Sequence, residues 1–500
     1  MSQGSPLLDR LGEIGGGAAP SVESIFIDNV ARPARSGAEF ETIDPSTETV
    51  LARLSRGDGG DVEAAAQAAR TAMDGPWRAV TPQRRGELLL DLAAAVEAHA
   101  ELLARLETLD VGKPMSASKG DVAGAVATLR YNAGAADKLE GISVPLGPEF
   151  VDFTELEPLG VTAHITPWNF PLGMAVRSLA PALAAGCTAI LKPAEQTPLT
   201  TLALAELARL VGFPAGVVNV VTGFGNEAGA PLCAHPLVDG VTFTGSVETG
   251  RLVGAAAGQA LKPVVLELGG KNPMIVFADA DIDRAVATAM EGAFDNTGQV
   301  CSSVSRLVLH ETIKDEFLDR FVEDAGRLAM APGLANADLG PLVSAEQYDK
   351  VMAHIDSARA DGARLRLGGG RPESLNRGYF VAPTVFDDVD PESRIAREET
   401  FGPVVAAFGF SSDDDAIALA NGLPYGLVAG LQTRDINRAL GLARRLRAGS
   451  VWINGWFIGG VQTPTGGVKD SGIGRERGLA GIHNYLSIKS IGVQLTNPTM

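Results

Sequence analysis

Thr188-Ala189-Ile190-Leu191, then Leu199-Thr200-Thr201-Leu202-Ala203-Leu204-Ala205-Glu206-Leu207-Ala208-Arg209-Leu210-Val211, then Val217-Val218-Asn219-Val220-Val221 is the stretch that decides the fold. An apolar run of strand length, a segment of helical texture and a second apolar run read together as one βαβ unit. Similar short runs flank it at 161–165, 240–243 and 264–266. Strands alternating with helices at this spacing predict a parallel sheet covered on both faces. Upstream, Leu89, Leu92, Val96, His99, Leu103 and Leu106 recur at helical spacing over 86–107, and 123–139 is a second helical stretch. Downstream, a second alternating series runs through 274–277, 306–310, a helix over 314–328 and a strand at 450–453. The expectation is an α/β protein of two parts, with a boundary near 267–270. The β-rich tail, 485–495, is expected either to join a neighbouring subunit or to form an ordinary edge strand.

With 500 residues, the chain exceeds what one hydrophobic core usually supports. Its 45% apolar and 20% charged content is that of a packed globular protein. A net charge of -18 argues against nucleic acid, whose phosphates need a basic surface, and against an anionic membrane. No apolar run reaches membrane-spanning length. Residues 1–21, with Gly15-Gly16-Gly17 and the acidic Asp9 and Glu13, read as a flexible lead-in without the apolar core of a signal peptide. Cys187, Cys233 and Cys301 are too few for a disulfide framework, and no Cys/His cluster has zinc spacing, so no metal is expected. Reduced thiols point to a cytoplasmic compartment.

Several segments carry possible chemistry. Val220-Val221-Thr222-Gly223-Phe224-Gly225-Asn226-Glu227-Ala228-Gly229 leads a strand into a glycine-rich turn, either a phosphate cradle or an ordinary turn. Phe243-Thr244-Gly245-Ser246 ends a strand just before a helix, where a hydroxyl and free N–H groups suit a pyrophosphate. Lys192-Pro193-Ala194-Glu195 puts a carboxylate at a strand's end, where it can accept from a ribose diol and repel a 2′-phosphate; a plain Lys/Glu pair is the other reading. In Ile165-Thr166-Pro167-Trp168-Asn169-Phe170-Pro171, Asn169 is either an oxyanion donor or a turn former. Glu267-Leu268-Gly269-Gly270-Lys271 and Gly298-Gln299-Val300-Cys301 supply a carboxylate and a thiol.

Taken together, the Pro-Trp-Asn-Phe-Pro loop, Phe243-Thr244-Gly245-Ser246, Glu267-Leu268-Gly269-Gly270-Lys271 and Gly298-Gln299-Val300-Cys301 resemble the aldehyde dehydrogenase superfamily. Glu399-Thr400-Phe401-Gly402-Pro403 and Gly466-Gly467-Val468-Lys469-Asp470-Ser471-Gly472 extend the resemblance. It covers the chain from about residue 25 onward. It implies Cys301 as nucleophile, Glu267 as general base and Asn169 as oxyanion donor. It further implies NAD, held by Ile165, Thr166, Trp168, Lys192, Glu195, Gly225, Phe243, Ser246, Leu268, Glu399 and Phe401, with Glu195 favouring NAD over NADP. The implied fold has a Rossmann-like cofactor domain (22–145 and 159–267), a catalytic domain (268–484) and a β-flap (146–158 and 485–497) that makes a homodimer or homotetramer. Retention of Glu267 implies hydrolysis of a Cys301 thioester to the acid rather than transfer to coenzyme A. Two alternatives differ in class: a cofactor-independent esterase or thioesterase, and a non-catalytic binding or structural protein. The first differs in needing no NAD, and the second is opposed by Cys301, Glu267 and Asn169 occurring together.

The substrate is expected to be a small aldehyde that is polar, carboxylated (semialdehyde-like) or aromatic. Phe170 matches the aromatic lining of relatives, but Arg177 and Pro464-Thr465-Gly466-Gly467 depart from it and make the inferred tunnel more polar. An Arg at position 177 occurs in relatives that oxidise succinate semialdehyde, whereas Asp295 stands where those relatives carry a second Arg. Arg177 therefore has two readings: it meets a substrate carboxylate, or it is paired with Asp295 or another carboxylate. In the first, replacing Arg177 with Leu should damage carboxylated aldehydes far more than neutral ones. Trp456 and Phe457 are candidates for an aromatic substrate wall or for core.

Overall fold

The structure, a computed structural model, describes residues 5–496. Residues 1–4 of the expected lead-in and residue 497 of the expected flap lie outside the described residues. The fold is α/β with two large sheets and two small ones. In the first large sheet, strands Val264–Glu267, Gly240–Thr244, Val161–Ile165, Thr188–Lys192 and Val218–Val220 run parallel in that spatial order. An antiparallel pair, Ile25–Ile27 and Val30–Arg32, extends one edge, and Gly472–Ile473 caps the other. The first three of these parallel strands in sequence run one way from Val161–Ile165, and the next lies on its other side. The order therefore reverses between Val161–Ile165 and Gly240–Thr244, and a crevice opens there at the strands' carboxyl ends.

The second large sheet has the order Arg364–Leu367, Thr384–Asp387, Val404–Phe410, Val304–His310, Asn272–Val276, Val428–Gln432, Ser450–Ile453. All its neighbours are parallel except the first pair. Glu267 ends the last parallel strand of the first sheet, and Asn272 begins a central strand of the second. Cys301 lies just before Val304–His310. The carboxyl edge of one sheet thus meets the amino edge of the other, and the short link 268–271 crosses between them.

The Pro171–Ala185 helix packs beneath the first sheet. Pro171 opens it with a preset φ, and Gly186, at φ 102°, closes it in the left-handed region. Leu172, Val176, Leu179 and Leu183 are buried in the core, which fixes the face on which Met174 and Arg177 remain available to the crevice. A third sheet pairs Phe150–Pro158 with Leu486–Gln494 over nine antiparallel residue pairs, with Ser143–Val144 beside them. The tail therefore forms its strand within the chain. No helix among the described residues is long and apolar enough to cross a membrane.

Two expectations are corrected. Residues from Ser5 onward are not a flexible lead-in: Ser5 caps the helix Pro6–Gly12 by accepting from the Leu8 N–H at 3.2 Å, and its hydroxyl donates to Glu206. Leu7, Leu8, Leu11 and Ile14 are buried, an apolar stripe at helical spacing that the following glycines obscured in the sequence. The helical stretch over 86–107 is two helices, Pro82–Ala98 and Ala100–Val111. His99 leaves the helical conformation between them, and its ring nitrogen lies 2.8 Å from the Ala95 carbonyl.

Candidate active site

The loop that carries Cys301 is built against the sterics of an ordinary chain. Asn296, Thr297 and Gly298 are consecutive left-handed residues with φ 45°, 57° and 72°. Only one of the three is glycine, so the turn is strained and must be held from outside. The Asn296 side-chain amide donates to the Asn169 carbonyl at 3.1 Å, and Thr297 donates to the Gly340 carbonyl at 3.1 Å. The Gln299 amide accepts from the Val343 N–H at 2.9 Å. A Cβ at Gly298 would sit 2.2 Å from the Gly402 carbonyl oxygen, so this position excludes any side chain. Asn272 then donates to the carbonyls of Cys301 and Ser303 at 2.8 and 2.9 Å, tying the nucleophile's backbone to the second sheet.

Asn169 reaches the same loop from the first sheet. Its amide donates one N–H to the Gln299 carbonyl at 2.9 Å, which fixes the side chain and leaves the second N–H for the cavity. Cys301, Glu267 and Asn169 line one cavity together with Trp168, Ser246, Leu268, Glu399 and Phe401. Ser246 caps the Val247–Gln259 helix at the carboxyl end of Gly240–Thr244, so the positive end of a thirteen-residue helix faces this space. Glu399 accepts from the Gly270 N–H at 2.9 Å, and a Cβ at Gly269 would come within 2.2 Å of its carboxylate. Phe401 meets Trp168 edge-on with centroids 5.1 Å apart. Thr166 has a buried hydroxyl with no partner, at the end of the strand that closes with Ile165.

Six expected cofactor residues, Ile165, Thr166, Lys192, Glu195, Gly225 and Phe243, do not line this cavity. Lys192 is buried with its ammonium 3.0 Å from Glu195, and Gly225 begins a short helical turn whose Gly229 approaches Ile165 and Lys192. Phe243 is buried in the core. A helix N-terminus, an unpartnered hydroxyl and two carboxylates along one edge nevertheless fit a dinucleotide with two ribose diols and a pyrophosphate. Gln347 and Lys350 also line the cavity. Sequence reading missed both because they lie on the Ala345–Ala360 helix, outside any glycine-rich or loop motif.

On its other side Cys301 opens onto two adjoining cavities. The smaller is lined by Arg177, Glu267, Trp452, Phe457, Thr465 and Arg477 among others, and the larger by Asp121, Phe170, Arg177, Asp295, Phe457 and Arg477 among others. Phe170, Phe457 and Thr465 are thus all at this side. Trp456 is not: it is buried in the second core and donates from its indole to the Ser302 carbonyl at 2.9 Å. Trp452, packed edge-on against it at 5.0 Å, takes the wall position instead. The Lys113 ammonium lies 3.9 Å from the centre of the Phe170 ring and pairs with Glu107 and Asp121 at 3.2 and 2.7 Å.

Arg177 is not free to meet a ligand. Its Nη2 donates to Glu267 at 3.0 Å and its Nε faces Glu476. The three side chains are 10%, 3% and 6% exposed, so this is a buried guanidinium between two buried carboxylates. Asp295, the partner weighed from the sequence, is not among the ion pairs of Arg177. Burial works against the charge on Arg177, but Glu476 and Glu267 outweigh it and hold the guanidinium protonated. Burial pushes Glu267 up to about 7, with Arg177 opposing the shift and Glu476 adding to it. Its second oxygen has no protein partner. Burial also pushes the Cys301 thiol up to about 12, against the pull of Arg177. Cys187 and Cys233 are raised by burial too, but they are enclosed in apolar surroundings, whereas Cys301 is half-buried and opens on all three cavities.

A neutral thiol, a carboxylate with a pKa near neutrality and an amide N–H around one space can form and break a covalent bond to an electrophilic carbonyl carbon. A family model described as Aldehyde dehydrogenase family matches residues 32–491. The chain is 48% identical over 474 residues to a hydroxyisobutyraldehyde dehydrogenase of Mycolicibacterium austroafricanum, covering 94% of each. It is 46% identical over 477 residues to human aldehyde dehydrogenase 1A1, covering 94% of this chain and 95% of that one. An aldehyde dehydrogenase from Bacillus cereus, solved as an NAD+ complex, superposes with a TM-score of 0.95 at 40% identity over 99% of both chains.

Proposed function

The chain belongs to the aldehyde dehydrogenase family, and on that premise we propose that Cys301, Glu267 and Asn169 perform its reaction in the roles of nucleophile, general base and oxyanion donor. The protein is an NAD-dependent aldehyde oxidoreductase. The observation that carries the assignment of residues is that all three line the cavity shared with Ser246, Glu399 and Phe401. In the proposed sequence Cys301 Sγ bonds to the aldehyde carbon while its proton passes to Glu267, directly or through a water. The carbonyl oxygen becomes an oxyanion facing the free N–H of Asn169 and the Cys301 backbone N–H. NAD, held by the residues named below, would supply the hydride acceptor that lets this oxyanion collapse to the Cys301 thioester. Once Glu267 has passed the thiol proton to solvent it takes a proton from water, the water oxygen bonds to the thioester carbon, and the carbon–sulfur bond breaks to release the acid, the Cys301 thiolate recovering the proton from Glu267.

Thr166, Ser246, Glu399 and Phe401 would hold the cofactor, with Lys192, Glu195 and Gly225 toward its adenosine end. The first sheet with its helices is proposed as the cofactor domain and the second as the catalytic domain. Phe150, Val151, Ile488 and Val493, exposed on the third sheet, support that sheet as a contact between subunits in a homo-oligomer. Three free thiols fit a reducing compartment such as the cytoplasm.

Glu267→Gln tests the base. The first turnover is expected to yield about one NADH per active site, formed more slowly than in the wild type because Cys301 loses its proton acceptor, and steady turnover falls by about 10²- to 10⁴-fold, both read by stopped-flow absorbance. Steady turnover near that of the wild type would remove Glu267 from the role. In the wild type Glu267 works as the carboxylate, so its pKa of about 7 puts an acid limb on the rate, which drops below that pH as the base is protonated. Asn169→Ala is expected to lower kcat by about 10²- to 10³-fold on every aldehyde, because it removes an oxyanion contact and no substrate tail contact. A loss confined to one class of aldehyde would refute that role.

A further inference from the structure

Arg477 is the one guanidinium on the substrate side that its neighbours leave uncommitted. It lines both cavities that open from Cys301, is exposed to them, and has no ion pair or hydrogen bond among the described residues. Arg177, beside it, is fully engaged by Glu267 and Glu476. The surrounding protein and the Arg177 charge lower Arg477 to about 10, so it stays protonated at neutral pH. Two guanidiniums in one recess repel, and Arg477 has no ion-pair partner there to offset that repulsion.

The backbone holds Arg477 in place at some cost. Its φ is 59°, in the left-handed region, although the residue carries a long side chain. Glu476 exchanges backbone hydrogen bonds with Thr465 at 2.7 and 2.9 Å, and the Gly478 N–H donates to the Val461 carbonyl at 2.9 Å. The segment is therefore pinned on both sides of Arg477, and the side chain is aimed by a rigid frame. The only other charged side chains lining the smaller cavity are Arg177 and Glu267, and Arg177 is tied up with Glu267 and Glu476, so Arg477 is the one cation presented there without an ion pair. In the larger cavity Asp121 is bound to Lys113 at 2.7 Å. Asp295 has no ion-pair partner among the described residues, and burial raises its pKa, which weakens it as an anion.

We infer that Arg477 is a specificity-determining residue of this site and selects aldehydes whose far end carries a carboxylate. The inference rests on the dehydrogenase reading above and names the substrate class for it. A carboxylate would accept from the Arg477 fork, supply the missing counter-ion and leave the aldehyde end for Cys301. The apolar walls Trp452, Phe457 and Ile458 would cover the carbon chain or ring between the two ends.

The test measures kcat/KM for NADH formation on matched pairs: succinic semialdehyde against butanal, and 4-carboxybenzaldehyde against 4-methylbenzaldehyde. Hydroxyisobutyraldehyde serves as a neutral hydroxylated member and 4-aminobutanal as a cationic one. Wild type is expected to favour the carboxylated member of each pair. In Arg477→Gln that carboxylated-to-neutral ratio should fall about 10- to 100-fold, mostly through KM, as for loss of a charged hydrogen bond, and Arg477→Lys should restore part of it. The ratio is internal to each variant and does not depend on how much protein folds. A wild-type ratio near one, or an unchanged ratio in Arg477→Gln, would overturn the inference while leaving the dehydrogenase reading intact. Preference for 4-aminobutanal would overturn it in favour of Asp295. No NADH from any member would remove the dehydrogenase reading and this inference together. If Arg477→Gln cannot be prepared, the wild-type ratio at rising salt decides: it should decline as the charge contact is screened, and a flat ratio counts against it.

Discussion

Replacing Cys301 with Ala is expected to reduce NADH formation by at least about 10³-fold on every aldehyde, whatever its charge, because no other group on the substrate side can form the covalent bond. The two remaining thiols cannot substitute. Cys187 and Cys233 are buried in apolar clusters, with pKa values near 12 and 11. Cys301 has a similarly raised pKa, so a low resting pKa is not what sets it apart. Its advantages are an open face and a carboxylate that can take its proton as attack proceeds. Alkylation by iodoacetamide, followed by peptide mass spectrometry, should therefore mark Cys301 well ahead of the other two in native protein. Equal labelling of the three thiols, or persistent turnover in Cys301→Ala, would dispose of the nucleophile assignment.

Arg177→Leu is the second large effect, and the structure reverses the selectivity that the sequence suggested for it. The loss should fall on carboxylated and neutral aldehydes alike, since Arg177 is bound to Glu267 and Glu476 and not offered to a ligand. Removing it leaves two buried carboxylates facing each other, a change of the kind that costs about 3–5 kcal/mol. The pKa of Glu267 should rise further, by about 1–3 units, as its ion-pair partner goes. A carboxyl group whose folded pKa lies above its unfolded value contributes stability at low pH and loses it as pH climbs through the folded value. The Tm deficit of the variant should consequently widen from pH 5 to pH 8, and the acid limb of the rate should move to higher pH. A deficit that is flat with pH, or a loss restricted to carboxylated aldehydes, would contradict this account.

What the sequence could show was set by how far apart the cooperating residues lie along the chain. Cys301, Glu267, Asn169 and Glu399 each sit in a short glycine- or proline-rich segment, and such segments are legible because their backbone demands are local. The alternation of 188–191, 199–211 and 217–221 displayed the first sheet for the same reason. Pairings between distant segments were not legible. Asp295 was a natural candidate partner for Arg177 because it lies near Cys301 in sequence, but the partner that closes the trio, Glu476, arrives from the far end of the chain, just past the edge strand that caps the first sheet, where it pairs with Thr465. Trp456 and Trp452 show the same limit at short range, since only the packing decides which indole fills the core and which lines the wall. Arg477 gave no signal at all, as an arginine in a charged loop normally reads as solvated surface.

The backbone pairing of Thr465 with Glu476 has a further consequence for anyone reshaping this enzyme. Adjacent residues of one clamped segment serve different ends: Glu476 helps set the proton affinity of the base, and Arg477 reads the tail of the substrate. Because the segment is pinned, a substitution that shifts one shifts the other. Selecting variants at 475–478 for a new aldehyde should therefore return altered pH optima as a by-product, and selectivity and working pH will evolve as a single linked trait.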